Sequence, residues 1–401
     1  MPAVVALSDL HLGEDSSTLN PLLREVVPPV LRDREEFKHP PLNTMPHKLN
    51  ALLKRVARQY GGISDLVLVG DIMDLSLAPY AGCALQAREF FQQLLAGILP
   101  GAVVWVPGNH DHHLWVQACE EEYIEMPLRS GQLPREFPRI TGPGRDTGAW
   151  SGYGGGAQFL LGLFPPHVRK RCWLAYPNYV TVCGEDHLLF HHGHFFDQKI
   201  SWIGTSLAEA RSLAELEMFN APYLDFIWYG SGQSGSLSEQ LENIYEELRW
   251  LAERLGMVLD ILTLKWLFKR LLGQFKKGGD RGSELDPALA GRMARYLAYI
   301  DREREAVPGS YPARFSLVFG HTHRPLAGEE VRGCPVYNPG GWTADEIWPG
   351  RDNLRSAVFV AAPELGCTVQ RVEIDREIYD FCHRLNHAIR EAVHAYIGVP
   401  G

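Results

Sequence analysis

Short apolar runs that stop without a taper mark the first third of the chain. Val4–Leu7, Ile63–Val69 and Ala102–Val106 each have strand length, and each is followed at once by polar residues. Between them, His47–Tyr60 carries Leu49, Leu52, Leu53 and Val56 at helical spacing and stops at Gly61-Gly62. A second helix is predicted over about Ala84 to Leu99, and the polar, Pro-containing stretch Glu14–Pro46 reads as a long loop. Strand, helix, strand, helix, strand with polar strand ends predicts an α/β layered sheet.

The pattern then changes twice. Arg129–Gly156 is rich in Gly, Pro and Arg and is expected to be irregular, whereas Tyr179–Cys183 and His187–Phe190 form a hairpin turning at Gly184-Glu185-Asp186. From Ser201 to about Tyr311 the periodicity is helical, with helices predicted at Ser206–Phe219, Leu237–Leu255, Met257–Phe275 and Pro287–Arg304. Strands resume at Arg314–Phe319, Pro335–Tyr337, Ser356–Ala361 and Cys367–Val372, and a final amphipathic helix spans about Arg376–Tyr396. The expected organisation is a core of residues 1–200 and 312–375, a helical insertion over 201–311 that caps it, and a C-terminal helix over 376–401.

Composition narrows the class. The 401 residues are 45% apolar and 22% charged, an ordinary globular balance. A net charge of −9 argues against broad affinity for nucleic acid, which needs basic surface. Seven scattered cysteines without a C-x-x-C pair suit reduced core thiols rather than a disulfide framework or a structural zinc site. We expect no signal peptide and no membrane span, hence a cytoplasmic protein.

The polar residues at the strand ends are the candidate chemistry. They are Asp9 and His11, Asp71, Asn109 and His110, His192, and His321 and His323. In an extended chain, Asp9 and His11 point to the same side, so both could approach one metal ion. Ligands bind at the C-terminal edge of sheets of this type. Oxygen and imidazole donors without thiolate suit Mn²⁺, Fe or Zn²⁺ in a reactive site. Two such ions about 3.5–4 Å apart need six to eight donors, one of them shared, and can activate water between them.

The order D-x-H … G-D-x-x-D … G-N-H-D … H-G-H … G-H-x-H resembles the calcineurin-like metallophosphoesterase superfamily, across both flanks but not the helical insertion. The resemblance implies an α/β layered, βαβ-type metallophosphoesterase sandwich with a mostly helical insertion. It also implies two divalent metal ions, with manganese the first choice and iron or zinc the alternatives. Asp9, His11 and His323 would hold the first ion, Asp71 would bridge both, and Asn109, His192 and His321 would hold the second. A metal-bridging hydroxide would be the nucleophile. His110 would steady the transition-state charge and protonate the leaving group, while Asp74 and Asp111 orient a ligand and His110. Tyr337-Asn338-Pro339-Gly340-Gly341-Trp342 resembles the family's late N-x-G-x-W turn, which supports the site from behind.

The function this implies is hydrolysis of a phosphorylated small molecule, a phosphomonoester or phosphodiester. A pyrophosphate hydrolase of the UDP-2,3-diacylglucosamine type is the second reading, although those enzymes carry Arg where this chain has His110. A nuclease comes third, and a non-catalytic metal-binding scaffold is the rival from another class.

Several residues stay outside this assignment. His194 is the alternative to His192 in His191-His192-Gly193-His194, and His39, His47, His112 and His113 read as ordinary polar residues. Arg324 suits either a substrate phosphate or a surface salt bridge. Gly230-Ser231-Gly232-Gln233-Ser234-Gly235 fits G-x-G-x-x-G but lacks the βαβ context of a dinucleotide site, and reads as a helix connection. The basic amphipathic stretch 257–277 suits either a peripheral lipid contact or packing onto the domain. Phe219, Tyr223, Phe226, Trp228 and Tyr229 could line a pocket or a homodimer contact.

Overall fold

The computed structural model describes residues 2–145, 149–151, 157–196, 210–233, 285–344 and 354–396. Its strands, in chain order, are β1 Ala3–Leu7, β2 Ile63–Leu68, β3 Ala102–Trp105, β4 Trp150–Ser151, β5 Cys172–Leu174 and β6 Asn178–Cys183. They continue as β7 Asp186–His191, β8 Ser316–Phe319, β9 Leu326–Val331, β10 Cys334–Asn338, β11 Arg355–Ala362 and β12 Gly366–Glu373. Two sheets result, one in the order β12-β11-β1-β2-β3-β5-β4 and the other β6-β7-β8-β10-β9. β1, β2, β3 and β5 run parallel, as do β7, β8 and β10. Each sheet therefore has one edge where several strands end together.

The sheets face each other, and the period of two in β1 shows how. Val4 and Ala6 join Val67, Val104, Phe190 and Val318 in the core between the sheets. Ala3, Val5 and Leu7 point the other way, into a core shared with α1 (Met45–Gln59) and α2 (Tyr80–Leu94). With both faces covered, the strand has no polar position, which is why it reads as an unbroken apolar run. Under α2, Phe91 lies 4.4 Å from Phe164 and 5.9 Å from Trp105, ring centre to ring centre. Truncating such a ring to alanine costs about 3–5 kcal/mol.

The other helices used below are α3 (His113–Glu120), α4 (Leu213–Tyr223), α5 (Pro287–Ala306) and α6 (Arg376–Tyr396). α5 covers the outer face of the second sheet, where Phe196 bridges Tyr296 and Phe319 at 5.5 and 5.6 Å. The architecture is a mixed α/β layered sandwich, as expected from the sequence.

Some elements differ from the sequence reading. The helix expected at Ser206–Phe219 starts at Leu213, because the Ser212 hydroxyl accepts from the Glu215 amide 3.1 Å away and caps it. It then runs through a π-type segment, 224–229, into 230–233, so the first four residues of the G-x-G-x-x-G stretch are helical. β9, Leu-Ala-Gly-Glu-Glu-Val, is an edge strand without apolar alternation and was not expected. The helices predicted at Leu237–Leu255 and Met257–Phe275, and the basic stretch 257–277, lie outside the described residues. Among the described residues, no helix is long and apolar enough to cross a membrane.

Candidate metal centre

The loops that leave β1, β2, β3, β7 and β8 meet at the shared C-terminal edge of the two sheets. The backbone there is unusual. Seven non-glycine residues among those described have positive φ, and Asp9, His11, Asp71, His321 and His323 are five of them. Left-handed backbone is uncommon outside glycine, although Asp and His adopt it more readily than most, and it clusters where function demands it. It also revises how Asp9 and His11 come together. β1 has already ended at Leu7, and each residue sits in its own left-handed turn, with Leu10 and Leu12 buried between and beyond them. Turn geometry, not strand alternation, aims the two side chains.

Two groups of donors converge. The ligand atoms of Asp9, His11 and His323 lie within 4.8 Å of one another, and so do those of Asp71, His192 and His321. In the first group, His323 Nε2 is 3.2 Å from both Asp9 Oδ1 and His11 Nε2. In the second, His192 Nε2 is 3.0 Å from Asp71 Oδ2, 3.2 Å from Asn109 Oδ1 and 3.3 Å from His321 Nδ1. Asp71 Oδ2 also lies 4.0 Å from His11 Nε2, so one oxygen faces both groups.

Hydrogen-bond accounting tests whether a cation fits. His192 Nδ1 lies 2.9 Å from the Val69 carbonyl, and His11 Nδ1 lies 2.7 Å from Asp74 Oδ2. Each Nδ1 is thereby assigned a proton, and each Nε2, once it gives up any proton of its own, offers a lone pair to a cation. Those lone pairs face carboxylate, amide and imidazole atoms that are themselves electron-rich. A divalent cation among them turns repulsion into coordination, and an imidazole held from behind by a carbonyl or carboxylate is the usual arrangement for a ligand. Charge agrees. Burial pushes the carboxyl groups of Asp9, Asp71 and Asp74 upward, yet positive charge on the surrounding imidazoles holds all three below the usual carboxylate range, and Asp71 in turn holds His192 up to about 9 against burial, so the cluster calls for positive charge that protons or a divalent cation can supply. The residues present fit two divalent ions.

A third convergent group, His11, Asp74 and His110, has a different explanation. Asp74 Oδ1 accepts from His110 Nδ1 at 2.9 Å while its Oδ2 accepts from His11, so ordinary hydrogen bonds account for the approach. Asp74 thus orients both a candidate ligand and His110. Burial would push the proton off His110, but Asp74 and then Asp71 hold it up to about 10. Asp111 does something else. Its Oδ1 accepts from the amides of Gly108 (2.6 Å) and Asp71 (3.2 Å), and its Oδ2 from Ile72 N and Trp105 Nε1, both at 2.9 Å. It fixes the backbone around Asp71 and Gly108.

The remaining pieces brace this arrangement. The Trp342 amide donates to the Asp9 carbonyl at 3.1 Å, and Asn338 Nδ2 donates to the Gly320 carbonyl at 2.8 Å, so the N-P-G-G-W turn sits behind both motifs. Gly341 packs so closely that a Cβ there would lie 2.6 Å from His323 Cγ. Of the neighbouring histidines, His192 joins a donor group, whereas His194 bonds Tyr176 Oη and His191 is packed against aromatic rings. His39 and His47 are exposed.

Two contributors were missed in the sequence. Ser76 hydrogen-bonds His110 Nδ1 and also reaches Asp74 Oδ1 at 2.9 Å. The turn made by Asp74 with the Ser76 and Leu77 amides is a local signal that could have found it. Glu14 Oε2 lies 3.5 Å from His11 Nδ1, and burial pushes its carboxyl group well above the usual range. His112, read as an ordinary polar residue, is fully buried between carboxylates.

The family model for calcineurin-like phosphoesterases matches residues 2–231. No curated protein matches the chain. The matched span holds the motifs from Asp9 to His192, and the fold brings His321 and His323, which lie beyond it, to the same edge. By this match the chain belongs to the calcineurin-like phosphoesterase family.

Proposed function

We propose that this protein is a dinuclear metal-dependent hydrolase acting on a small-molecule phosphomonoester or phosphodiester. The observation that carries this reading is the position of one Asp71 oxygen between two donor groups, 3.0 Å from His192 and 4.0 Å from His11. Asp9, His11 and His323 would hold one ion and Asn109, His192 and His321 the other, with Asp71 shared. When bound, two divalent ions supply neutralisation of phosphate oxygens and water acidic enough to ionise near neutral pH.

The chain's own residues supply the rest. His110, protonated and held by Asp74 and Ser76, is suited to give its proton to the leaving oxygen as the ester bond breaks. Asp74 keeps that ring and His11 aligned, and Asp111 keeps the Asp71 turn rigid. We assign the core to residues 1–200 and 312–375 and the cap to 201–311. Seven free cysteines, five of them buried, suit a reducing compartment, and we propose the cytoplasm.

The test is a panel of nitrophenyl phosphate mono- and diesters assayed with Mn²⁺, Zn²⁺ and Mg²⁺, alongside metal analysis. Asp71→Asn should lose both turnover and bound metal. Full activity in that variant, or no turnover by the metal-loaded wild type, would sink the proposal.

A further inference from the structure

The loop that carries Asn109 and His110 continues into His112, whose two ring nitrogens are both taken by one distant segment. Nε2 is 2.8 Å from Glu217 Oε1 on α4, and Nδ1 is 2.8 Å from Asp225 Oδ1 in the π-type segment that follows. His112 is 1% exposed and Glu217 2%. A neutral imidazole has a single N–H, so acceptors on both nitrogens mean a doubly protonated ring. Burial alone would depress it, but the two carboxylates hold it up to about 10.

The contacts extend on both sides of this ion triad. Glu217 Oε2 accepts from Tyr176 Oη at 2.6 Å, and that hydroxyl lies 3.1 Å from His194 Nε2, two residues beyond His192. The His113 ring stacks on Tyr229 at 3.5 Å and 8°. Gln233 reaches the loop on the opposite flank of His110: its Nε2 donates to the Leu75 carbonyl at 2.9 Å, and its Oε1 accepts from the Tyr80 amide at 3.0 Å. The Leu75 amide in turn donates to the His110 carbonyl at 3.1 Å. Segment 210–233 therefore grips the chain both before and after the candidate acid.

A buried ion triad is a poor source of net stability, because desolvating three charges offsets most of their attraction. What it does impose is a fixed geometry, since breaking one member strands the others. We infer that Glu217 and Asp225 are positioning residues that act through His112 to hold the loop bearing Asn109 and His110. This rests on the phosphoesterase reading above, with His110 as proton donor. His112 is the N-cap of α3, its carbonyl accepting from the Trp115 amide at 2.8 Å, and only Asp111 separates it from His110. Releasing its ring lets the helix start rotate and draws His110 out of line with Asp74. Segment 210–233 is then part of the acid's support.

The test compares 4-nitrophenyl with phenyl phosphate esters, using wild type, Asp225→Ala, Glu217→Gln and Glu217→Ala, with bound metal measured for each. Phenolate leaves poorly and needs the proton from His110, whereas nitrophenolate leaves with little help. Asp225→Ala and Glu217→Ala should lose about 10-fold or more with the phenyl ester, a range typical of groups that orient catalytic residues, and clearly less with the nitrophenyl ester. Metal should remain bound, because the other six proposed donors lie on other loops, and Glu217→Gln, which keeps an acceptor, should fall less than Glu217→Ala. Equal losses on both esters, or none, would overturn the inference, since a smaller folded fraction scales both alike. Should Glu217→Ala fail to fold, Asp225→Ala decides, because the Asp225 side chain is 30% exposed and tolerates truncation. A wild type inert toward both esters would instead refute the phosphoesterase reading itself.

Discussion

Asp74 Oδ1 lies 2.9 Å from His110 Nδ1, while the other oxygen of the same carboxylate lies 2.7 Å from His11 Nδ1. One buried side chain therefore sets the orientation of a candidate metal ligand and of the candidate acid. Asp74→Asn leaves a single acceptor oxygen for two imidazole N–H groups, so one ring must lose its partner. We expect turnover to fall about 10–100-fold. Ser76→Ala should fall much less, because His110 keeps Asp74. Steady-state rates on nitrophenyl phosphate for the two variants check this, and a larger loss in Ser76→Ala would reverse the ranking of the two supports.

Gly341 gives a way to disturb one donor group and spare the other. A Cβ at this position lies 2.6 Å from His323 Cγ and must displace that ring, whereas His192 and His321 belong to the other group. Gly341→Ala should bind one divalent ion with near wild-type affinity and the second at least 10-fold more weakly. Calorimetric titration of the metal-free protein with Mn²⁺ or Zn²⁺ reads this directly. Two unchanged binding steps would show that the His323 ring can yield without loss.

Asp111→Asn tests the backbone scaffold. The carboxylate accepts from four N–H donors, two at each oxygen. An amide offers one oxygen, and its NH₂ meets two donors it cannot satisfy. Each donor left unpaired costs about 1–3 kcal/mol. We expect a lower denaturant midpoint together with weaker metal binding, because the Asp71 amide is one of the four. Loss of activity at unchanged stability would instead give Asp111 a direct chemical part.

The sequence made the site legible because the chemistry sits where apolar runs break off, and both faces of the strands are covered. Asp9, Asp71, Asn109, His192 and His321 each follow such a run, so their meeting at one edge follows from parallel strands ending together. The local path was not legible. The period-two rule applies only to extended chain, and Asp9 and His11 have φ of 53° and 49°. The start of α4 could have been read from Ser212 and Glu215, which form the cap. The pairing of His112 with Glu217 could not, because no local pattern signals partners 105 residues apart. Buried ion pairs between distant elements leave no periodicity behind.

That same triad gives stability a pH dependence with a definite sign. His112 stands at about 10 in the fold against an ordinary value of 6.5, because Glu217 and Asp225 overcome the effect of burial. The folded state therefore holds this proton more tightly than the unfolded chain does. Its contribution is complete below about pH 6.5 and is lost as pH rises toward 10. The groups facing the ring are the two carboxylates and, through Glu217, the Tyr176 hydroxyl, while the neighbouring His113 is depressed by burial to about 4 and stays neutral over this range. Asp225→Asn keeps an acceptor but removes one of the two charges, so the decline between pH 7 and 10 should be shallower than in the wild type. Urea midpoints of both proteins at intervals across that range provide the measurement. Thiols titrate alike in both proteins; the hydroxyls of Tyr176 and Tyr229 also feel Asp225, but both are raised above the ordinary tyrosine range, so below about pH 9 the difference is the His112 contribution. Parallel curves would mean that Asp225 does not help to hold the proton.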